Sequence, residues 1–165
     1  MSKRIVVVDD HDVVRQGVRL ILRSRPDWSV VDEASNGNEA VQKIKSQNPD
    51  LTILDISMPE KDGLEVIRDL KAAGITPKVL VLSMHNSKEL IAAVRELGAS
   101  GYILKTNAAQ DLIRAMEDVF AGGTFFPGPS TKTTPSAAPD AESTDPGRKN
   151  SLFRLQLAGA SAFSN

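Results

Sequence analysis

Five short stretches of this chain are apolar at nearly every position: Ile5–Val8, Val30–Val31, Asp50–Leu54, Val79–Leu82 and Gly101–Leu104. A strand that is apolar on both faces has to be covered on both, which is the situation of a parallel sheet between helices. The segments between the runs supply those helices. Val14, Val18, Ile21 and Leu22 fall on one helical face, as do Ala40, Val41 and Ile44, then Leu64, Ile67 and Leu70. Leu90, Val94 and Leu97 follow on a fourth, and Leu112, Met116, Val119 and Phe120 on a fifth. The expected fold is α/β and doubly wound, a five-stranded parallel sheet with five helices in three layers. The Val30–Val31 run is the weakest and is expected at an edge.

Helix boundaries are marked by polar residues at capping-box spacing: Asn36 with Glu39, Asp62 with Glu65, Asn86 with Glu89, and Asn107 with Gln110. Gly74 and Gly98 stand where the third and fourth helices need a residue that tolerates a left-handed backbone. An apolar content of 41% supports a real core, and only 4% is aromatic, which suits Val, Ile, Leu and Ala packed on a sheet. A formal net charge of -1 gives no electrostatic warrant for a nucleic-acid or membrane surface. There are no cysteines, so disulfides and thiolate metal sites are excluded. Ile5–Val8 is too short for a signal peptide core, and no run nears the roughly 20 apolar residues of a membrane span. A soluble cytoplasmic protein is expected.

The folded domain is expected over about residues 1–125. From 126 to 150 the chain is rich in Pro, Ser, Thr and Ala without either apolar period, the composition of a disordered linker. Residues 151–165 regain Leu152, Phe153, Leu155, Leu157 and Phe163 and form a short apolar tail of unassigned role.

Polar residues at the ends of the strands carry the chemistry. Asp9 and Asp10 end the first, Asp55 the third, Ser83 the fourth and Lys105 the fifth. In an open parallel sheet, ligands gather at the carboxyl edge, near the switch in strand order. Three carboxylates there repel one another, and a hard divalent cation relieves the repulsion. Mg²⁺ takes oxygen ligands at about 2.0–2.1 Å and keeps several waters. Asp10 and Asp55 are the expected direct ligands, with Asp9 acting through water and the Ser57 carbonyl completing the shell. A carboxylate is also a recognised phosphoryl acceptor. With Lys105 as a charge partner and Ser83 as a hydroxyl donor, Asp55 is the expected acceptor.

The set Asp9-Asp10, Asp55-Ile-Ser-Met-Pro59 with Gly63, Ser83 and Lys105 resembles the receiver domain of two-component response regulators. Val79–His85, Gly101–Lys105 and Gly122-Gly123-Thr-Phe-Phe126 resemble the nitrate/nitrogen-fixation regulator subfamily. The resemblance covers about residues 1–125 and implies a flavodoxin-like sheet in the order 2-1-3-4-5. It also implies phosphotransfer from a sensor histidine kinase to Asp55 and slow hydrolysis, tuned at Ser57 and His85. Tyr102 matches the family's aromatic switch position. Ser83 is then expected to move inward on phosphorylation and Tyr102 to fill the space, remodelling the helix 4, strand 5 and helix 5 face for a homodimer or a downstream protein.

A regulator of that subfamily continues into a helix-turn-helix domain. Residues after 125 show no such pattern, and Arg148, Lys149 and Arg154 are too few for a phosphate-binding face, so DNA binding by this chain alone is not expected. The rival reading is a Mg²⁺-dependent phosphohydrolase with an aspartate nucleophile. Such an enzyme needs an acid/base aspartate two residues further on, where Ser57 stands. Turnover catalysis is therefore not expected beyond self-phosphorylation and slow autodephosphorylation. A receiver-like interaction module without phosphotransfer is the remaining alternative. A dinucleotide site is a weaker reading still, because Asp9-Asp10-His11-Asp12 stands where a glycine-rich loop would be needed.

Overall fold

In the computed structural model, which describes residues 1–127, the five runs form one parallel sheet. Along the chain come β1 (Lys3–Val8), α1 (Asp12–Leu22), β2 (Trp28–Ala34), α2 (Gly37–Gln47) and β3 (Leu51–Asp55). Then follow α3 (Gly63–Ala72), β4 (Val79–Ser83), α4 (Lys88–Glu96), β5 (Gly101–Leu104) and α5 (Ala108–Phe120), with a 3₁₀ turn at Lys105–Asn107. The strand order is β2-β1-β3-β4-β5, as expected, and the direction of winding reverses between β1 and β3. Of the expected linker at 126–150 only Phe126 and Pro127 are described; the rest of it and the tail at 151–165 lie outside the described residues. Among the described residues no helix is long and apolar enough to cross a membrane.

Strand periodicity divides the core in two. Ile5, Val7, Leu51, Ile53, Leu80, Leu82 and Ile103 face one way and pack with Val18 and Leu22 of α1 and Leu112, Met116 and Val119 of α5. Their neighbours Val6, Val8, Leu54, Val79, Val81 and Tyr102 face the other way, onto α2, α3 and α4 through Ile44, Ile67, Leu70 and Val94. Each such side chain contributes about 1.5–3 kcal/mol by leaving water.

The edge strand departs most from expectation. β2 is seven residues long, although only Val30–Val31 reads as a strand. It pairs on one side alone, with β1, and its middle positions are half-exposed, so Asp32 and Glu33 can occupy it. The register slips between Ile5 and Val6, which pair with Val30 and Asp32 and leave Val31 as an extra residue.

Capping follows the expected boundaries unevenly. Asp62 and Glu65 form a full reciprocal box at α3. At α2, Asn36 accepts from the Glu39 N–H, but the Glu39 carboxylate takes the Ser35 N–H instead. The cap of α4 is Ser87, one residue past Asn86, and its hydroxyl accepts from the Leu90 N–H at 3.2 Å. Asn107 makes no side-chain cap, because the 3₁₀ turn already engages the entry to α5. Gly74 and Gly98 adopt φ of 77° and 92°, and the following N–H groups of Ile75 and Ala99 reach back to Leu70 and Val94, completing a Schellman ending at both helices.

After α5 the chain returns to the sheet. Phe125 bridges Gly101 in parallel, its carbonyl accepting from the Tyr102 N–H at 2.7 Å and its N–H donating to Ser100 at 3.0 Å. The outer edge of β5 is therefore covered locally, and Arg95 lies over the Phe126 ring at 4.1 Å.

Candidate functional site

Sheet register brings the polar strand ends together. Val8 pairs with Leu54, so Asp9, the next residue, comes abreast of Asp55. Asp55 itself pairs with Leu82, which sets Ser83 one step beyond it on the neighbouring strand. Ser83 pairs with Leu104, and Lys105 follows. The β1–α1 loop that carries Asp9 and Asp10 is held by Arg15, which donates to the Asp9 carbonyl at 2.6 Å and to Glu33 of β2 at 2.9 Å.

The β3–α3 loop depends on Gly63. A Cβ on Gly63 would stand 2.5 Å from the Asp55 carbonyl oxygen and 2.9 Å from the Ile56 Cα. Its N–H donates to the Ile56 carbonyl at 2.9 Å, so α3 starts directly against the backbone of the candidate acceptor. The role of glycine here is close approach.

Asp9 and Asp55 are both only 1% exposed, and Ser83 is fully buried. The Lys105 ammonium sits 2.8 Å from Asp9 Oδ2 and 3.3 Å from Asp55 Oδ2. It bridges the two carboxylates by charge at short range, yet Asp9 Oδ2 and Asp55 Oδ2 have no well-directed hydrogen bond, and neither does Asp10 Oδ1. Asp55 Oδ1 accepts from the Ser57 N–H at 3.2 Å. Burial, with the charge of Asp9 added, pushes the Asp55 carboxyl up to about 6 despite Lys105. Burial alone would lower Lys105, but its contacts with Asp9 and Asp55 outweigh that and raise it.

Three carboxylates facing one ammonium leave the pocket short of positive charge, and an excess of carboxylate oxygens suits a hard cation. Asp9, Asp10, His11 and Asp55 each offer one ligand atom, all within 4.8 Å of one another. The expected ligands Asp9, Asp10 and Asp55 are thus brought together, and the donor set fits a divalent ion. His11 was absent from the expected set. It lies 3.1 Å from Asp10 and 3.2 Å from Asp9 through Nδ1, and the signal for it was adjacency to the acidic pair.

Ser83 Oγ accepts from the His85 N–H at 3.0 Å, and the Tyr102 hydroxyl donates to the His85 carbonyl. Burial pushes the Tyr102 phenol up, with the Ser83 hydroxyl acting in the opposite sense. The Tyr102 ring is already fully buried, in the α2–α4 half of the core. What connects pocket to surface is a hydrogen-bonded series: Ser83, the His85 backbone, Tyr102 and the Phe125 carbonyl.

The sequence model of the response regulator receiver domain matches residues 5–117. The chain is 41% identical over 123 residues to the transcriptional regulatory protein DegU of Brevibacillus brevis, covering 74% of this chain and 52% of that protein. It is 36% identical over 118 residues to the nitrate/nitrite response regulator protein NarL of Escherichia coli K12, covering 72% and 55%. It spans about half the length of these curated relatives. Among solved structures, a LuxR-family two-component response regulator from Aurantimonas sp. superposes with a TM-score of 0.72 at 32% identity, over 76% of this chain and 89% of that one.

Proposed function

The chain belongs to the response regulator receiver domain family, and from that premise we propose that Asp55 accepts a phosphoryl group from the phosphohistidine of a sensor histidine kinase. The observation that carries this reading is the buried Asp55 carboxylate at the end of β3, one oxygen lacking a hydrogen bond and Lys105 beside it. In the transfer, an Asp55 oxygen forms the new bond to phosphorus as the P–N bond breaks, and the electron pair leaves with the kinase imidazole. An ionised carboxylate needs no base for this step. Lys105 balances charge on the phosphoryl oxygens, and the Ser83 hydroxyl donates to one of them. Asp10 and Asp55, with Asp9 through water and the Ser57 carbonyl, would hold Mg²⁺, which when bound neutralises charge at the reacting centre.

Ser83 and Tyr102 then carry the change to the surface of α4, β5 and α5, where a second copy or a downstream protein docks. Likeness to the E. coli nitrate/nitrite regulator supports the nitrate/nitrogen-fixation subfamily. The test is intact-mass spectrometry after incubation with acetyl phosphate, with and without Mg²⁺. Wild type is expected to gain one phosphoryl group, only with Mg²⁺ and mapped to Asp55, while Asp55→Asn gains none. Equal uptake by Asp55→Asn would overturn the reading, and multiple turnover of a phosphate ester would favour the phosphohydrolase instead.

A further inference from the structure

We propose that His11 is a metal ligand that tilts this pocket toward imidazole-favouring divalent ions such as Co²⁺, Ni²⁺ and Zn²⁺, away from Mg²⁺. The inference deepens the cation-site reading above but does not depend on phosphorylation of Asp55. His11 occupies the N-cap of α1, at φ -101° and ψ 116°, and its side chain makes no capping hydrogen bond. The ring is instead turned back onto the acidic pair, with Nδ1 at 3.1 Å from Asp10 Oδ1 and 3.2 Å from Asp9 Oδ1. The His11 N–H also donates to Asp9 Oδ1 at 2.8 Å, which fixes the backbone in this arrangement.

Two further observations point to an ion at the same place. The Asp9 and Asp55 side chains, each 2% exposed, share the single Lys105 ammonium through Oδ2 at 2.8 and 3.3 Å, so two buried carboxylates face one positive charge. One atom from each of Asp9, Asp10, His11 and Asp55 falls within 4.8 Å of the others, a spacing that one central ion can span. The ring is 61% exposed and stands at the solvent side of the pocket.

Oxygen donors alone leave selection between Mg²⁺ and the later transition ions to availability. Adding one imidazole nitrogen favours the ions that bind nitrogen well, in the order Co²⁺, Ni²⁺ and beyond. Binding requires Nδ1 free of its proton. Molecules carrying the proton there release it to solvent as the metal arrives, and the ring keeps its proton on Nε2.

The experiment is isothermal titration of the full, unphosphorylated chain with CoCl₂ and, separately, MgCl₂, on wild type, His11→Ala and His11→Asn. Both variants are expected to lose about tenfold or more in Co²⁺ affinity while Mg²⁺ affinity changes much less. Nitrogen NMR of the imidazoles during Zn²⁺ titration gives a second readout, with His85, the other histidine, as internal control. The His11 ring nitrogen should shift strongly and that of His85 should not. Equal loss of Co²⁺ and Mg²⁺ affinity, or a His11 ring indifferent to Zn²⁺, would overturn the proposal. Such a result would leave phosphoryl acceptance by Asp55 standing, and failed phosphorylation would leave this metal preference untouched.

Discussion

Replacing Asp55 with Asn should make the metal-free protein more stable at neutral pH. Asp55 is 1% exposed, and its carboxyl stands at about 6 against an ordinary value of 3.8. That difference, about two units, corresponds to ~3 kcal/mol of unfavourable free energy once the group is ionised. The variant removes the buried charge and the repulsion from Asp9, and it also gives up attraction to Lys105 at 3.3 Å. The buried amide still needs partners, so a net gain of about 1–2 kcal/mol is expected. The sign fixes the pH window. A folded-state value raised above the unfolded one favours the native state below pH 3.8, and that contribution is lost as pH rises through about 6. The advantage of Asp55→Asn should therefore be small near pH 4, grow through pH 6 and level off above about 7. Urea unfolding followed by circular dichroism in EDTA, across that range, measures it directly. A variant less stable than wild type at neutral pH, or a gap that does not change with pH, would refute the electrostatic reasoning.

Two glycines should behave oppositely. Gly63→Ala drives a Cβ into the Asp55 carbonyl and the Ile56 backbone and should cost about 1–3 kcal/mol or more in urea unfolding. Gly17→Ala, inside α1 with nothing within 4 Å of the new carbon, should gain about 0.5–1 kcal/mol. At the start of α4, Ser87→Ala should lose about 1 kcal/mol and Asn86→Ala almost nothing, read as a difference in thermal midpoint. Equal effects of the two would mean that the cap lies elsewhere.

The interior of the sheet was legible in the sequence because β1, β3 and β4 are buried on both faces, which leaves an unbroken apolar run. β2 was not, since an edge strand with one partner tolerates Asp32 and Glu33, and a bulge breaks its alternation. The Asp62–Glu65 box could be read directly, whereas at α4 two adjacent polar residues compete to cap and spacing alone chose the wrong one. The convergence of Asp9, Asp10, Asp55 and Lys105 followed from their shared position at strand ends. His11 escaped because a histidine in a loop has no periodic or compositional mark, and its part depends on which way the ring turns. Tyr102 was recognised by position, but the depth of its burial depends on packing between the sheet and α4, which a pattern of residue types does not encode.

The claim on which the account turns is that Asp9, Asp55 and Lys105, remote in the chain, share one electrostatic pocket. Carbon NMR titration of the Asp55 carboxyl in metal-free buffer tests it most directly, on wild type, Asp9→Asn and Lys105→Met. The expected midpoint is about 6 in wild type, lower in Asp9→Asn and higher in Lys105→Met. An Asp55 that titrates at the ordinary carboxylate value and responds to neither substitution would contradict it.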